Sequence, residues 1–357
     1  MYFRLRTWLG VGWWGIVFAM CAIASGLFPL ISFMGYFGTG RLREIVFGAS
    51  FTWISLVGIV FVFFFLMDMT SLIARILDWL MGTSFKPRFF EPRKCVPATL
   101  LLILVFLLYS YYEAWNVKRV DIVIETSKLP DEIDRLRLVH LTDIHFGGLN
   151  TAARFLKVMD IVHSAKPDIL VMTGDVVDGD MSYWEEKTAL LATHGAKYGA
   201  FAVTGNHEFY FGIKQAVDFK ERAGFTLLRD ARADVAGIAI LGLDDPTARG
   251  RGWERGVVET LPDSLSFPED KFVLILKHRP QIIDGSAGKF DLQLSGHTHG
   301  GQIWPFGYIV KWMYKHEQGL TFIDSSAVYV SNGAGFWGPP LRFLTPPEVT
   351  VIDLVKK

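Results

Sequence analysis

The chain has 357 residues, of which 51% are hydrophobic, and its 36 basic residues balance its 36 acidic residues. A net charge of zero argues against a general nucleic-acid binder, which needs a basic surface. The two cysteines are too few for a disulfide framework. The positive mean hydropathy fits a membrane region joined to one globular domain that is large enough for a substantial core.

Three apolar stretches occupy the first third of the chain. Each has about 20 residues or more, which is enough for a helix to cross the ~30 Å hydrocarbon core of a bilayer. Tryptophan and tyrosine residues cluster near the ends of the stretches, as they do at membrane interfaces. We therefore predict a membrane region over residues 1–116 with a bundle of about three transmembrane helices, at residues 8–34, 45–67 and 96–115.

Two details of this region leave other interpretations open. Arg4 and Arg6 precede an apolar run in which residues 22–24 resemble a signal-peptide cleavage site. Two further spans would anchor the protein even after cleavage. Between the second and third spans, apolar residues recur at helical spacing over residues 72–80, which is typical of a segment that lies along the membrane surface.

The basic residues that flank the spans predict the orientation of the protein. Seven of them lie in the N-terminus and in the loop of residues 68–95, against five on the other side. The positive-inside rule then puts the N-terminus in the cytoplasm. Three spans would carry the domain that follows to the outer face of the membrane.

We predict one α/β domain over residues 136–357, preceded by a linker and first strand over residues 117–135. Five apolar runs in it are typical of buried strands: residues 136–141, 169–172, 200–203, 272–276 and 292–294. A polar motif follows each run, in the order Asp143-Ile-His145, Gly174-Asp175, Gly205-Asn206-His207-Glu208, His278 and Gly296-His297-Thr298-His299. Because ligands bind beyond the carboxyl ends of the strands in an open α/β sheet, we expect the motifs to converge on one cleft.

The side chains of these motifs indicate a centre for two adjacent divalent metals. Carboxylate, imidazole and carboxamide groups suit hard or borderline ions, and no cysteine joins them. Asp-x-His or His-x-His alone is a weak signal, but five motifs in this order, each after a strand, are a strong one. We expect Gly174, Gly205 and Gly296 to provide the unusual backbone angles of tight strand exits.

The motifs D-x-H, G-D, G-N-H-[DE], an isolated His and G-H-x-H, in that order, resemble the calcineurin-like metallophosphoesterase superfamily. Residues 205–210, 277–280, 296–303, 329–333 and 346–348 resemble the bacterial phosphohydrolase branch typified by the YkuE and YaeI proteins. The resemblance covers roughly residues 120–355. It implies a sandwich of two mixed β-sheets flanked by helices. Together with the predicted spans, the bacterial branch predicts an integral protein of the bacterial inner membrane.

The resemblance also implies a role for each motif residue. Three ligands would hold each metal and one would bridge both: Asp143, His145 and His299 for the first metal, Asn206, His278 and His297 for the second, and Asp175 for the bridge. His207 would face the substrate, where it stabilises the phosphoryl transition state or protonates the leaving oxygen. Glu208 stands where many members carry Asp, a change that this branch shares.

Two cations about 3.5–4 Å apart would lower the pKa of a shared water. The resulting hydroxide would attack phosphorus in line, with no covalent phospho-enzyme. Mn2+ is the favoured ion, and Fe, Zn2+ and Mg2+ also fit because the same ligands accept several metals.

Other polar residues carry weaker signals. Arg279 directly follows a predicted ligand and Arg342 precedes a Pro-Pro turn, so both are candidates for binding a phosphate bidentately. Structural positions are expected for the histidines His140, His163 and His194. His316 lies in a loop after the last motif, with no element to fix it near substrate.

Two loops suit a ligand with a charged head and an apolar tail, residues 249–255 and the aromatic residues 302–314. The second loop either packs inside the protein or admits a lipid-linked phosphate at the bilayer. A lipid-linked or cell-envelope phosphate is therefore the favoured substrate. The resemblance adds UDP-diacylglucosamine, which similar hydrolases cleave at its diphosphate in lipid A synthesis, as one candidate.

The expected partners are thus a phosphate ester and membrane lipid, with no nucleic acid, and the sequence names no protein partner. Two alternatives stay open. A nucleotide or cyclic-nucleotide phosphodiesterase would turn over water-soluble diesters without lipid. A non-catalytic membrane binding module would keep the fold alone, and the intact ligand set together with His207 argues against it.

Overall fold

The computed structural model describes residues 23, 25, 26, 41–82, 91–147, 152–179, 181, 184–250, 259–263, 265–314, 316 and 318–357. The chain divides into two compact units, Met1–Tyr111 and Tyr112–Lys357.

Two long helices dominate the described part of the first unit, α1 (Arg41–Met81) and α2 (Pro92–Trp115). Among the described residues, Gly48–Met81 and Arg93–Trp115 are long and apolar enough to cross a membrane. The predicted span at residues 8–34 lies outside the described residues except for residues 23, 25 and 26.

Helix α1 continues past the end of the predicted second span. The prediction of a separate segment over residues 72–80 is therefore wrong, since these residues belong to one uninterrupted helix. No proline or glycine occurs from Ile59 to Met81, so nothing in the sequence breaks the hydrogen-bond ladder. The helix ends before Gly82, whose φ of 62° is typical of a helix C-terminus.

The second unit contains twelve strands among its described residues: β1 (Lys118–Thr126), β2 (Arg135–Leu141), β3 (Ile169–Met172), β4 (Ala200–Ala202), β5 (Phe225–Leu227), β6 (Ala231–Val235), β7 (Ile238–Gly242), β8 (Val273–Leu276), β9 (Leu292–Ser295), β10 (Gly319–Ile323), β11 (Ser326–Val330) and β12 (Glu348–Lys356). The helices are α3 (Ala152–Ala165), α4 (Glu185–Leu191), α5 (Asn206–Phe211), α6 (Ile213–Arg222) and α7 (Gly307–Met313).

The strands form two six-stranded sheets, with the orders β1-β12-β2-β3-β4-β5 and β10-β11-β9-β8-β7-β6. Both sheets are mixed. In the first, β12 is parallel to β1 and antiparallel to β2, and in the second, β10 and β6 are the antiparallel edge strands. The predicted class, two mixed sheets flanked by helices, is confirmed.

The apolar core follows the alternation of side chains along the strands. Leu136 and Leu138 of β2 share a buried cluster with Leu274 and Leu292 of the second sheet, so this cluster lies between the sheets. Val139 and Leu141, which point the other way, pack in a cluster with residues of α3 and α6, including Phe155 and Phe219. All five apolar runs predicted as strands are strands, with bounds that differ by one residue at most.

Candidate metal centre

The predicted ligands follow five parallel-paired strands, in the connecting loops or, for Asn206, at the start of α5. Asp143, Asp175 and Asn206 follow β2, β3 and β4 in the first sheet, whereas His278 follows β8 and His297 and His299 follow β9 in the second. Backbone hydrogen bonds join neighbouring loops, since Asp143 N donates to Gly174 O and His145 N to Asp175 O, both at 3.0 Å. The two sheets meet where His297 N donates to the Asp143 carboxylate at 2.9 Å.

Five of the predicted ligands have backbone angles in the left-handed region. Their φ values are 52° at Asp143, 51° at His145, 49° at Asp175, 70° at His297 and 51° at His299. This conformation costs a non-glycine residue on the order of 1–2 kcal/mol. Backbone strain that is concentrated in the residues of one side-chain cluster is typical of a functional site.

The three glycines of the motifs have two different roles. Gly174 has a φ of 92°, as expected for a strained strand exit. Gly205 and Gly296 lie outside the left-handed region, so the prediction is wrong for them. A Cβ atom on Gly205 would lie 2.2 Å from Asp175 Oδ1, and one on Gly296 would lie 2.0 Å from Asp143 Oδ2. These two glycines leave room for the carboxylates.

Asp143, His145 and His299 form the first group of ligand atoms. Nε2 of His145 lies 3.0 Å from Nε2 of His299, and Asp143 Oδ1 lies 3.4 Å from the same His299 nitrogen. The donor atoms of all three side chains lie within 4.8 Å of one another. All three side chains are buried.

Asp175, His278 and His297 form the second group. Nδ1 of His278 donates to Thr173 O at 2.8 Å, which directs Nε2 at Asp175 Oδ2, 3.1 Å away. Nδ1 of His297 lies 3.0 Å from the same His278 nitrogen. Because Asp175 Oδ2 is also 3.9 Å from Nε2 of His145, one carboxylate oxygen adjoins both groups.

The chemistry of the donor set fits divalent metals. Pairs of imidazole nitrogens face each other at 3.0 Å, and a single cation between such lone pairs satisfies both. Oδ1 of Asn206 is buried and has no hydrogen-bond partner among the described residues, which is an unusual state for a carboxamide oxygen unless it binds a ligand. The residues present therefore fit two hard or borderline cations.

The electrostatics of the cluster favour bound positive charge. Burial would raise the pKa of Asp175, but His278 and His207 hold it well below its usual range. Burial lowers the pKa of His297 to about 3, and that of His299 also falls well below its usual value. Both imidazoles are therefore neutral and able to bind a metal, because metal ligands must be deprotonated.

Asp178 is a candidate functional residue that the sequence interpretation missed. Its Oδ1 accepts a hydrogen bond from Nδ1 of His207, and its Oδ2 lies 3.0 Å from Nδ1 of His145. Burial would lower the pKa of His207, but the charges of Asp178 and Asp175 outweigh burial and raise it. The available signal was the Gly-Asp-x-x-Asp spacing, which puts a second carboxylate three residues after Asp175.

Glu208, the departure from the common motif, stabilises the loops that follow β3 and β4 through its buried carboxylate. Its carboxylate accepts hydrogen bonds from the backbone N–H groups of Asp175, Val176 and Gly205 at 2.7–3.0 Å. The Lys220 ammonium lies 3.0 Å from Glu208 Oε1 and neutralises its buried charge. The longer side chain therefore fixes two ligand loops without joining the metal groups.

The two arginines predicted to bind phosphate occupy different environments. Asp245 holds the Arg279 guanidinium through Nε and Nη2, at 2.8 and 3.2 Å. Arg342 is 0% exposed. Its two terminal nitrogens donate to four backbone carbonyls, and Nη2 lies 3.0 Å from Nδ1 of His299. The position of Arg342 contradicts a phosphate contact, because backbone oxygens surround its N–H groups.

The remaining histidines have structural partners, as expected. His140 bonds Thr173 Oγ1 at 2.7 Å, and His163 bonds Thr193 O at 2.8 Å. Nδ1 of His194 accepts from Ala196 N. Most of the predicted ligand loop at residues 249–255 lies outside the described residues. Arg249, which is described, pairs with Asp230 at 2.6 Å.

The sequence is similar to known metallophosphoesterases. Residues 136–301 match the family model for calcineurin-like phosphoesterases. An uncharacterized metallophosphoesterase of Aquifex aeolicus (strain VF5) is 35% identical over 252 residues, which is 70% of this chain and 96% of that protein. The uncharacterized metallophosphoesterase YkuE of Bacillus subtilis (strain 168) is 32% identical over 68% of this chain and 87% of its own length.

A relative from Danio rerio, named as a transmembrane protein with metallophosphoesterase domain, is 27% identical over 72% of this chain and 62% of that protein. The resemblance to the YkuE-like branch inferred from the motifs is confirmed by the Bacillus relative. The match over nearly the whole Aquifex protein identifies the family. The chain belongs to the calcineurin-like metallophosphoesterase family and is a metal-dependent phosphoric ester hydrolase.

Proposed function

We propose that the chain hydrolyses its phosphate ester at a two-metal centre built from seven side chains. Asp143, His145 and His299 would hold the first metal, Asn206, His278 and His297 would hold the second, and Asp175 would contribute to both. The position of Asp175 Oδ2, 3.1 Å from His278 Nε2 and 3.9 Å from His145 Nε2, carries this proposal. A single oxygen that adjoins both groups is what a bridging ligand requires.

Two divalent cations supply electrostatic stabilisation of the phosphoryl oxygens and an activated water. The protein provides the acid. His207 Nδ1 donates to Asp178, which leaves Nε2, 3.8 Å from Asp175 Oδ2, directed at the centre. The charges of Asp178 and Asp175 raise the pKa of His207 and so favour the doubly protonated ring, and we propose that the proton on Nε2 passes to the leaving oxygen.

We propose Mn2+ as the metal, with Fe, Zn2+ and Mg2+ as ions that the same oxygen and imidazole ligands accept. Arg279 is the proposed phosphate contact, because Asp245 fixes the plane of its guanidinium beside His278. Arg342 instead acts through His299, whose ring and carbonyl it contacts.

We propose a lipid-linked or cell-envelope phosphate as the substrate class. A UDP-diacylglucosamine-type diphosphate is one candidate, which a cytoplasmic catalytic face would favour, whereas an outer face favours other lipid or cell-envelope phosphates. The apolar helices α1 and α2 support a bilayer location, and exposed aromatic side chains follow the last metal motif. The proposed cellular location is the bacterial inner membrane, with the catalytic domain on its outer face. Reporter fusions after Lys128 and in residues 82–95 test this orientation, and a cytoplasmic-type signal from the first fusion contradicts it.

The function is tested with the full chain reconstituted in lipid nanodiscs. Metal analysis is coupled to a panel of phosphomonoesters, nucleotide diesters and lipid diphosphates, with and without Mn2+. We expect two metals per chain and Mn2+-dependent hydrolysis with a preference for a lipid-linked phosphate. The Asp175→Ala variant should show neither the two bound metals nor the hydrolysis. Preferential turnover of soluble nucleotide diesters would support the phosphodiesterase alternative. Two bound metals without turnover of any compound would support the binding module.

A further inference from the structure

Six large apolar side chains next to the metal centre point into solvent. They belong to α7 and the turn before it, and we call them the α7 surface: Trp304, Phe306, Tyr308, Ile309, Trp312 and Met313. Trp312 is 78% exposed and Tyr308 67%. No residue of α7 is buried. Monomeric soluble proteins rarely expose a contiguous apolar patch of this kind unless it contacts another apolar phase.

The α7 surface is fixed to the catalytic unit at both ends, and at one of them it contacts a proposed metal ligand. At one end, Trp304 N donates to Phe343 O at 2.9 Å and Phe343 N donates to Gln302 O at 3.0 Å. At the other end, the hydroxyl of Tyr314, directly after α7, lies 2.7 Å from Nε2 of His297. A molecule that covers the α7 surface therefore lies within a few residues of a proposed metal ligand.

The composition of the segment selects the kind of molecule that covers it. Residues 300–316 contain no aspartate or glutamate, and Lys311 lies in the last turn of α7. Tryptophan and tyrosine side chains are enriched where hydrocarbon meets headgroups. A basic residue beside them favours the negative charge of phospholipid headgroups. A protein interface would not require this lack of acidic residues.

The connection between α2 and the catalytic unit is short. Strand β1 of the catalytic unit begins at Lys118, three residues after the end of the apolar helix α2 at Trp115. A domain on so short a tether stays close to the bilayer that holds α2. A bilayer that holds α2 is therefore present near the catalytic unit at a high effective concentration.

We propose that the α7 surface inserts into the interfacial layer of a phospholipid bilayer. Apolar side chains enter the acyl boundary, and Lys311 stays at headgroup level. The metal centre then opens onto phosphate groups that lipids carry at the membrane surface. This consequence for substrate choice rests on the proposed function, whereas the insertion itself does not depend on catalysis.

Photo-crosslinking in vesicles tests the insertion directly. Ile309 is replaced by p-benzoylphenylalanine in the full chain, which is reconstituted in phosphatidylethanolamine and phosphatidylglycerol vesicles. The matched control carries the same replacement at Leu156, a half-exposed leucine of α3. We expect lipid adducts at position 309 above those at position 156. Equal adduct yields at the two positions, or crosslinks from 309 mainly to a second copy of the chain, overturn the proposal.

A kinetic experiment tests the consequence for substrate. The measured quantity is the ratio of kcat/KM for a vesicle-embedded lipid phosphate to kcat/KM for p-nitrophenyl phosphate. In Trp312→Gln we expect this ratio to fall about tenfold, because the variant no longer buries one large aromatic side chain in the bilayer. Phe322→Gln, an exposed aromatic on β10, should keep the ratio. An unchanged ratio in Trp312→Gln overturns the substrate consequence. Failure of the wild type to hydrolyse either compound overturns the proposed function, and the crosslinking result still decides the insertion.

Discussion

The carboxylate of Asp178 lies 3.0 Å from Nδ1 of His145, a proposed ligand of the first metal. Its other oxygen accepts the hydrogen bond from Nδ1 of His207, the proposed acid. One side chain therefore orients two imidazoles with different roles. A carboxylate behind a metal-binding histidine fixes its tautomer and raises its basicity.

Asp178→Asn should lower turnover and metal affinity together. The amide keeps the shape but supplies less negative charge to both rings, so we expect a loss of about 10–100-fold in each quantity. Metal titration followed by single-turnover kinetics at saturating Mn2+ measures the two effects separately. Normal metal affinity combined with normal turnover in this variant would remove Asp178 from the centre.

Asp175→Ala and His207→Ala should separate binding from chemistry. The first removes the oxygen that adjoins both ligand groups, so metal content and turnover are both lost. The second should keep both metals and lose about 100-fold or more in rate, the usual contribution of a general acid. Elemental analysis of the purified variants distinguishes them. Complete loss of metal from His207→Ala would contradict this division of roles.

Gly205→Ala should displace the bridging carboxylate although alanine is the smallest possible change. Its Cβ would meet Asp175 Oδ1 at 2.2 Å and Asp175 N at 2.5 Å, so the backbone or the carboxylate must move. We expect loss of metal from the purified protein and a lower melting temperature. The control is Gly58→Ala, because a Cβ at that position meets nothing within 4 Å and its φ lies outside the left-handed region. Its metal content should match that of the wild type.

Arg342→Met should lower stability, whereas Arg279→Met should mainly change substrate binding. Loss of Arg342 leaves four buried carbonyls without their donor, which costs about 3 kcal/mol or more of stability. Loss of Arg279 should raise KM for the phosphate ester with a smaller change in melting temperature. Thermal unfolding and steady-state kinetics on both variants test this. A stable Arg342→Met protein with a raised KM would restore the phosphate role predicted from the sequence.

Asp353→Asn should destabilise the sheet in a pH-dependent way. Arg137 donates to both oxygens of Asp353 at 2.8 Å, which lowers the pKa of that carboxyl. The stabilisation is fully present above the ordinary carboxyl pKa and is lost as pH falls through the lowered value. We expect a loss of about 1–2 kcal/mol near pH 7 and a difference between variant and wild type that shrinks as pH falls below 3.8. Melting temperatures across this range measure it, and a difference that does not vary with pH would exclude the ionic contribution.

Much of the catalytic fold could be predicted because its signals are local. The run at residues 169–172 is wholly apolar, and β3 covers the same four residues with every side chain buried. Asp175 follows directly in sequence, so its location at a strand end needs no knowledge of distant contacts. The same reasoning applies to His278 after β8.

The remainder depends on contacts between distant parts of the chain. Arg342 precedes a turn by sequence, but its burial under His299 results from how residues 332–345 fold over the last motif. The role of Gly205 depends on the path of the neighbouring loop, which sets the distance to Asp175. No local pattern encodes either relationship.

Strand β12 lies between β1 and β2, and it pairs with both along most of its length. During translation, β1 and β2 leave the ribosome long before β12 is made. The slot between them stays open until synthesis of the sheet is almost finished. By then α1 and α2 have long been available for insertion into the bilayer. Under the proposed membrane location, insertion of α1 and α2 can therefore precede closure of the sheet.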